Sequence, residues 1–573
     1  MAGHCIVCGM GQVGYRVVDM LRRLGESVTV VTQTTRDEWL HTARAGGVKV
    51  LLGDARDAQL LAEAGIQDAC TLIAATDQDL VNIEIALDAK QLRPDLPVVI
   101  RLFDQTLARQ LEATFDIRRA LAMSALTAPT FAAAAMGERI AGSFSLDGTL
   151  FVIGRQTIDP GSPLVSLTVR QVGEQYGLAT LTHECGEVGR APAPHLDTTL
   201  AVGDCLTVVG PAFSWHQLAR AMHPANATPS PWRKRRAALW RRLRPVQWFD
   251  VVRQIWRHAP APLRTAFIAL NALALFSVLV FHLAMNLTLV DAFYFVIATV
   301  TTVGYGDISP RGASPWLQIY VCLVMMLGSA TIATVSSIIT DFVVTARFQQ
   351  MLGRQRLPDD GHILVVGLGN VGYRIVDELR RAGAPVAAIE RHPDGEFVEA
   401  IRAHTPVVIG DARVRDTLVQ AGVANAYAVI VVTNDDAVNL GVALAAKEMN
   451  PRGRTVVRLF DADFARKVQT ALNVDATVST ASMAAPVFAA AALYPDVDGA
   501  FELDDRLFMV LHRTVGAEWH GITPAHLRAK RQVMVLMRRC PAGIYGVYSL
   551  AQDNVPLESG EKVLALVWRE LAA

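Results

Sequence analysis

Net charge is the first thing this 573-residue sequence lacks: 54 Lys and Arg balance 54 Asp and Glu. Nothing in that balance draws the chain toward polyanions, so no nucleic-acid partner is expected. Cysteine is also sparse. Seven are scattered at positions 5, 8, 70, 185, 205, 322 and 540, without the spacing of a disulfide framework. That usage favours a reducing cytoplasm for the soluble parts. Cys5 and Cys8 form a Cys-x-x-Cys with no companion pair, inside an apolar strand, and read as buried structural thiols. No signal peptide is expected, because a strand-like run begins at His4. No apolar run carries arginine at every third position, which excludes a voltage sensor. Charge is missing altogether from 265–290 and from 312–340, which hold no Asp, Glu, Lys or Arg.

Each of those runs exceeds the roughly 20 helical residues that cross a bilayer core. Two spans leave both chain ends on one side. Nine Lys or Arg between Arg233 and Arg257 place that side in the cytoplasm. The outer loops carry only Asp291, Asp307 and Arg311. The expected location is the cell inner (plasma) membrane, multi-pass, with N- and C-terminal domains cytoplasmic. Segment 223–264 mixes basic residues with Trp232, Trp240, Trp248 and Trp256, which suits a helix lying against membrane lipid. A solvated linker and a nucleic-acid patch are its other readings.

Between the uncharged runs stands Thr301-Thr302-Val303-Gly304-Tyr305-Gly306-Asp307. A K⁺ filter replaces the ion's water shell with rings of backbone carbonyls, supplied by a Thr-Val-Gly-Tyr-Gly loop. Thr302, Val303, Gly304, Tyr305 and Gly306 form this filter, with K⁺ held at Thr302, Val303, Gly304 and Tyr305. Gly304 and Gly306 permit backbone angles that side-chained residues resist. One chain holds one such loop and a ring needs about four, so a homotetramer is expected. Asp291–Val300 reads as a short helix aiming its negative C-terminal end at the pore. On it, Tyr294 and Phe295 are either a collar for the filter or ordinary packing. Gly328, inside the second span, is a gating hinge or a close-packing residue. Ser329, Thr331, Thr334, Ser336, Ser337 and Thr340 read as the wall of a wet cavity.

The rest of the chain is written twice. Gly9-Met-Gly-Gln-Val-Gly-Tyr-Arg16 returns as Gly367-Leu-Gly-Asn-Val-Gly-Tyr-Arg374, Gly53-Asp-Ala-Arg56 as Gly410-Asp-Ala-Arg413, and Arg101-Leu-Phe-Asp104 as Arg458-Leu-Phe-Asp461. In the first copy, strands are expected at His4, Ser27–Val31, Lys49–Leu52, Thr71–Ala75 and Pro97–Leu102. Helical stretches between them imply a parallel sheet covered on both faces. The fold class is therefore α/β Rossmann-type, in two copies that each end in a small α+β lobe, flanking an all-α two-span pore. Expected bounds are 1–140 and 141–222 for the first copy and its lobe, 223–264 for the linker, 265–350 for the pore, and 360–497 and 498–573 for the second pair.

Each glycine turn follows a strand and opens a helix, the context in which Gly-x-Gly-x-x-Gly cradles a diphosphate. Gly9, Gly11, Gln12, Val13 and Gly14 make the first cradle; Gly367, Gly369, Asn370, Val371 and Gly372 make the second. Glu390 ends the second strand of the second copy, where a carboxylate can hold ribose hydroxyls. Thr32 stands there in the first copy, so that site is altered in preference or empty.

These repeated motifs resemble the RCK domain, regulator of K⁺ conductance, and the centre resembles a two-span K⁺ channel pore. The resemblance implies that Asp54, Ala55, Thr76 and Arg101, with Asp411, Ala412, Thr433 and Arg458, line the nucleotide clefts. It implies eight RCK domains per assembly. The implied effectors are NAD(H), ADP, ATP, a cyclic dinucleotide at the lobes or a divalent cation. One RCK domain precedes the pore, whereas the commoner layout places both after it. Ala298 stands where some relatives carry a filter-bracing Glu. The function implied is a ligand-gated, potassium-selective channel and not an enzyme. A nucleotide-binding regulatory subunit of a K⁺ transporter and a Rossmann oxidoreductase are the alternatives; no catalytic His, Lys or Tyr constellation accompanies either turn.

Overall fold

The structure is a computed structural model describing residues 3–137, 140–146, 148–185, 189–192, 194–222, 261–351, 357–472, 474–539, 549–550 and 554–572. The tryptophan-rich basic segment, with Trp232, Trp240, Trp248 and Trp256, lies outside the described residues. The chain divides into two compact units, Met1–Arg233 with Arg356–Ala573, and Lys234–Gln355.

In the first unit, short apolar runs form the strands of a parallel sheet, the central ones buried on both faces as helix cover requires. The strands are β1 (Cys5–Cys8), β2 (Val28–Thr32), β3 (Lys49–Leu52), β4 (Thr71–Ala74), β5 (Val98–Leu102) and β6 (Arg119–Ala122). Their order is β3-β2-β1-β4-β5-β6. The first five fall where the sequence places strands; β6 is new. Helices α1 (Gln12–Arg23), α2 (Asp37–Ala45), α3 (Ala58–Glu63), α4 (Asp79–Leu92), α5 (Gln105–Thr114) and α6 (Met123–Met136) complete this half. The sheet order reverses between β1 and β4, so a crevice opens at their carboxyl ends.

A lobe follows: β7 (Ile140–Leu146), β8 (Thr149–Thr157), α7 (Val169–Tyr176), β9 (Ala179–Cys185), β10 (Gly189–Pro192), β11 (Cys205–Pro211) and α8 (Ala212–Met222). The second unit holds three helices, α9 (Ala261–Met285), α10 (Leu289–Val300) and α11 (Pro315–Met351). The second copy then repeats the first architecture. Strands β12 (Ile363–Val366), β13 (Val386–Glu390), β14 (Val407–Ile409), β15 (Ala428–Val431), β16 (Arg454–Arg458) and β17 (Ala476–Val478) take the order β14-β13-β12-β15-β16-β17. Its glycine-turn helix is α12 (Asn370–Arg381) and its last helix is α17 (Thr480–Leu493), with α13 (Val398–Arg402), α14 (Arg415–Gln420), α15 (Asp436–Met449) and α16 (Ala462–Ala471) between them. The second lobe comprises β18 (Gly499–Leu503), β19 (Arg506–Thr514), α18 (Pro524–Arg531), β20 (Val533–Arg539), β21 (Ser549–Leu550) and β22 (Lys562–Glu570).

The two copies exchange their last helices. Helix α6 carries Ala128, Phe131, Ala132 and Ala135 into one core with Ile363, Val365, Ile375 and Val376 of the second copy. Helix α17 carries Ala484, Phe488 and Ala491 into another with Val7, Val17 and Leu21 of the first. Both helices are alanine-rich and apolar all round, a composition that demands burial on every side. Arg454 Nε donates to Ala134 O, Tyr427 Oη to Met136 O, and Arg118 to Ala492 O at 2.8 Å. These bonds satisfy carbonyls near the ends of the exchanged helices. The lobes join as well, with Phe151 and Ile153 packed in one cluster with Phe501 and Phe508.

In the second unit α9 and α11 are 25 and 37 residues long. Among the described residues no helix is long and apolar enough to cross a membrane. The sequence runs 265–290 and 312–340 overlap α9 and α11 partly through side chains outside that description. Phe281, Phe295, Val296, Val321 and Val324 pack the three helices together, and Ser277 and Tyr320 share a 3.0 Å hydrogen bond. Outward stand Leu275, Phe276, Leu279, Leu283, Phe293, Trp316, Ile319 and Met326, all exposed. An apolar surface of this extent requires lipid or another chain to cover it.

The second lobe holds a buried ion pair. Both oxygens of Glu561, 2% exposed, accept from Arg538 at 2.6 and 2.7 Å. Burial raises this carboxyl, but the hydrogen bonds from Arg538 and the Glu558 N–H outweigh it and leave the group below its usual range. A carboxyl depressed by folding stabilises above its unfolded pKa of about 4.3 and loses that contribution as pH falls through the folded value. Arg538→Ala strands a buried carboxylate and should cost about 3–5 kcal/mol near neutral pH. Thermal unfolding at pH 7 checks this, and a loss no larger than that of an exposed-arginine control would refute it.

Candidate functional site

Each glycine of the repeated turn has its own reason. Gly9 and Gly367 sit at φ +94° and +96°, where a side chain is strained. A Cβ on Gly14 would lie 1.9 Å from Gly9 O, and one on Gly372 would lie 1.8 Å from Gly367 O, so only glycine lets helix and strand meet. Gly11 and Gly369 differ: a Cβ there would meet nothing within 4 Å. Their freedom faces open space, where a ligand can approach the backbone. They are also the N-caps of α1 and α12, and neither helix start has a side-chain cap. Free N–H groups at a helix N-terminus attract an anion.

In the first copy these residues border a cavity of about 520 Å³. Gly9, Gly11, Gln12 and Val13 line it with Thr32, Asp54, Ala55, Thr76 and Arg101, which brings most of the expected first-site residues together. Gly14 is packed behind the loop. The lining also includes Val371, Arg458, Phe460 and Thr480 from the second copy. Arg458, expected in its own copy's cleft, lines the first. The exchanged last helices bring these parts of the two copies together.

Two arginines meet this crevice. Arg101 Nη1 donates to Thr76 O at 2.9 Å and its guanidinium lies 4.9 Å from the Phe103 ring. Arg458 Nη1 donates to Asn434 Oδ1 at 3.1 Å and its guanidinium lies 4.4 Å from the Phe460 ring. Burial pulls both below the usual arginine value, Arg458 to about 10. The Nε of each is buried with no hydrogen-bond acceptor among the described residues. Buried, under-satisfied guanidinium groups favour an anionic ligand. The site therefore fits a phosphate-bearing group.

Thr76 and Thr433 are held by a residue that the sequence reading missed. The Asn82 side-chain oxygen accepts from Thr76 N and Oγ1 at 2.9 and 2.7 Å, and its amide donates to Arg101 O at 3.0 Å. Asn439 repeats this with Thr433 and Arg458, at 2.8, 2.6 and 3.1 Å. Both asparagines are fully buried. The signal was present, since each stands six residues after its threonine in both copies. Asp54 and Asp411 are each bound by the arginine two residues on, at 2.7 and 2.6 Å. These hydrogen bonds hold both carboxyls below their usual range. Beside them, Ala412 is buried.

Glu390 braces its own loop. One oxygen accepts from Leu368 N at 2.7 Å, and the other from Arg391 N and His392 N at 2.8 and 3.1 Å. Thr32 does the equivalent work with one hydroxyl, accepting from Met10 N at 3.2 Å and donating to Thr34 O at 2.8 Å. Three of a carboxylate's roughly four acceptor sites are thus taken at Glu390 and one of a hydroxyl's two at Thr32, so each keeps about one for a ribose hydroxyl. The Glu390 acceptor carries charge and so makes the stronger bond. Glu390→Ala should weaken nucleotide binding at the second cleft about tenfold, with Thr32→Ala milder at the first; titration calorimetry with ADP checks the order. The reverse ranking would refute it.

In the second unit the loop after α10 alternates its backbone. Thr302, Gly304 and Gly306 have φ of +61°, +57° and +80°. Two of the three are the glycines that the sequence reading singled out; Thr302 adopts the left-handed region at a cost that glycine avoids. Val303 and Tyr305 are 52% and 73% exposed, so this single chain leaves the loop uncovered. Its support is main chain: Val303 N and Gly304 N both donate to Ala298 O, at 3.0 and 3.1 Å. That carbonyl supplies a brace at the position where a Glu side chain is missing. Tyr294 stacks on Tyr305 at 6.3 Å, whereas Phe295 packs edge-on against Phe281 between the helices. Gly328 is buried in a continuous α11, and a Cβ there would lie 3.1 Å from Val300 Cα, a close helix contact. The side chains of Thr331, Thr334 and Thr340, expected on a cavity wall, lie outside the described residues. Among the described residues no group of three His, Cys, Asp or Glu side chains could hold a metal ion, so the divalent cation has no candidate site there.

Sequence comparison agrees with this division. Residues 5–120 and 363–480 match the TrkA-N domain, and 268–345 match the ion channel family. Potassium channel protein 1 of Methanocaldococcus jannaschii is 27% identical over 168 residues, 28% of this chain and 49% of that protein. The voltage-gated potassium channel Kch of Escherichia coli is 26% identical over 187 residues, 32% of this chain and 44% of that protein. The Trk system potassium uptake protein TrkA of Mycobacterium tuberculosis is 29% identical over 206 residues, 35% of this chain and 90% of that protein. The chain thus spans about half the length of these two channel relatives. A solved GsuK channel is 17% identical with a TM-score of 0.48, covering 99% of this chain and 77% of that one. This chain carries two TrkA-N domains, and they flank an ion channel pore domain.

Proposed function

We propose that this chain is the subunit of a homotetrameric, K⁺-selective channel of the inner membrane, opened or closed by nucleotide bound in its cytoplasmic RCK domains. The carrying observation is the alternation of left-handed residues at Thr302, Gly304 and Gly306. Alternate left- and right-handed residues turn successive carbonyls to the same side, which is what a ring of backbone oxygens about an axis needs. Four copies would also cover the exposed filter, and lipid or neighbouring chains the apolar surface of α9–α11. The domain bounds follow the sequence reading, with 1–140 and 360–497 as nucleotide-binding halves, 141–222 and 498–573 as lobes, and 265–350 as the pore.

The nucleotide part rests on the open positions at Gly11 and Gly369 and on the two cationic side chains, Arg101 and Arg458, that line the first cavity. NAD(H), ADP and ATP share the diphosphate these groups fit. The second cleft has the shorter covalent path to the pore, since only residues 352–362 separate α11 from β12, against 223–260 between α8 and α9. A ligand shifts gating only as far as it favours one state, about 1.4 kcal/mol per tenfold affinity ratio.

Purified protein in liposomes tests the reading. K⁺ and Rb⁺ should enter and Na⁺ should not, and ADP or NADH should change the rate. Equal Na⁺ and K⁺ permeability would overturn selectivity; absence of any flux would favour the regulatory-subunit alternative.

A further inference from the structure

Cys5 and Cys70 bring their sulfur atoms to 3.4 Å at the amino-terminal end of the first sheet. Cys5 opens β1 and is buried; Cys70 immediately precedes β4, the neighbouring strand, and is exposed. The ladder fixes the contact, because β1 and β4 pair Cys5 with Thr71 and Cys70 N donates to His4 O at 2.9 Å. The nucleotide cleft lies at the opposite, carboxyl end of these strands, so neither thiol serves it.

We propose that Cys5 and Cys70 form a modification site, a dithiol that a hydroperoxide oxidises to an intrachain disulfide. The Cys70 thiolate attacks one peroxide oxygen; the O–O bond breaks, Cys70 becomes a sulfenic acid, and the departing hydroxide takes a proton to leave as water. The Cys5 sulfur then attacks the Cys70 sulfur. Its proton leaves with the sulfenic hydroxyl as a second water, and the S–S bond forms. Two thiols lose two electrons and two protons, and one hydrogen peroxide gains them as two waters. The sulfurs close from 3.4 Å to the roughly 2.05 Å of a disulfide.

The environment divides the roles. The contact with Cys5 draws the Cys70 thiol below its usual range, although partial burial and Glu26 oppose this. The same contact, then burial, push Cys5 upward and keep its proton in place. The exposed sulfur is therefore the nucleophile and the buried one resolves it, the arrangement of a redox-sensing pair. In a reducing compartment such a bond is transient and reports oxidant. Cys8, fully buried and pushed up to about 12 by burial, is the inert neighbour in the same strand.

The test is hydrogen peroxide added to the full-length protein, followed by alkylation under unfolding conditions, digestion and mass spectrometry. A joined Cys5–Cys70 peptide pair should appear, revert with a thiol reductant, and be absent in Cys70→Ser. Cys70 should lose its free thiol about tenfold faster than glutathione added to the same reaction. In Cys5→Ala the Cys70 sulfenic acid should persist and be trapped by a 1,3-dione. The proposal is overturned if Cys5 remains fully alkylatable while Cys70 passes to sulfinic acid. Oxidation of Cys70 no faster than glutathione overturns it too. Cys70→Ser changes an exposed residue, so the comparison survives even if Cys5→Ala folds poorly.

Discussion

Replacing Gly304 with Ala should abolish K⁺ and Rb⁺ flux while leaving the protein folded and assembled. Gly304 sits at φ +57°, and a Cβ there meets nothing within 4 Å in its own chain. Folding of the single subunit is therefore nearly indifferent to the change, apart from about 1–2 kcal/mol for an L-residue in the left-handed region. That cost is relieved by turning the peptide toward negative φ. The turn would redirect the carbonyl beside it and break the alternation that Thr302, Gly304 and Gly306 maintain. Four chains would make the same error at one ring, which is why a small local cost should produce a complete loss. Rb⁺ uptake into liposomes, beside size-exclusion chromatography of the same preparation, separates lost conduction from lost assembly. Flux at the wild-type rate would show that this loop is not the filter.

The parts of the molecule that were legible in the sequence are those fixed by local rules. Glycine turns at Gly9 and Gly367, the first five strands of the first sheet and the helix ending at Val300 follow from periodicity and backbone freedom. The exchange of α6 and α17 did not show. An alanine helix buried on every side has no polar face to reveal which sheet it covers, so Phe131 and Phe488 carried no sign that they pack against the other copy. Arg458 beside the first cleft follows from that exchange and was hidden with it. Strand β6, Arg119-Ala-Leu-Ala122, is too short and too rich in alanine to declare itself. Asn82 and Asn439 were readable from the repeat alone, but a single polar residue within a helix gives no sign that it is buried. Thr302 went unmarked as a left-handed residue because threonine resists that region, and only the geometry of the loop explains it.

Gly369→Val should cost little stability yet weaken ADP at the second cleft by at least tenfold, about 1.4 kcal/mol. Gly369 has φ −75° and ψ −170°, an extended conformation that valine adopts readily. A Cβ at this position meets no atom within 4 Å. The folded protein therefore gives no structural reason for glycine there. The reason that remains is the ligand: a diphosphate resting on the uncapped N–H groups of α12 needs the volume that two methyl groups would fill. Gly372→Ala is the contrasting variant, because its Cβ would lie 1.8 Å from Gly367 O and must spread the helix from the strand. Gly372→Ala should unfold the second copy at a lower temperature, with or without nucleotide. Gly369→Val should unfold near the wild-type temperature but gain less from ADP, since ligand stabilisation scales with the logarithm of concentration over Kd. The first cleft keeps Gly11, so part of the ADP effect should survive in Gly369→Val and disappear when Gly11→Val is added. If both valine variants retain full ADP stabilisation, the phosphates do not rest on these loops, and the arginine pair Arg101 and Arg458 would answer to another anion.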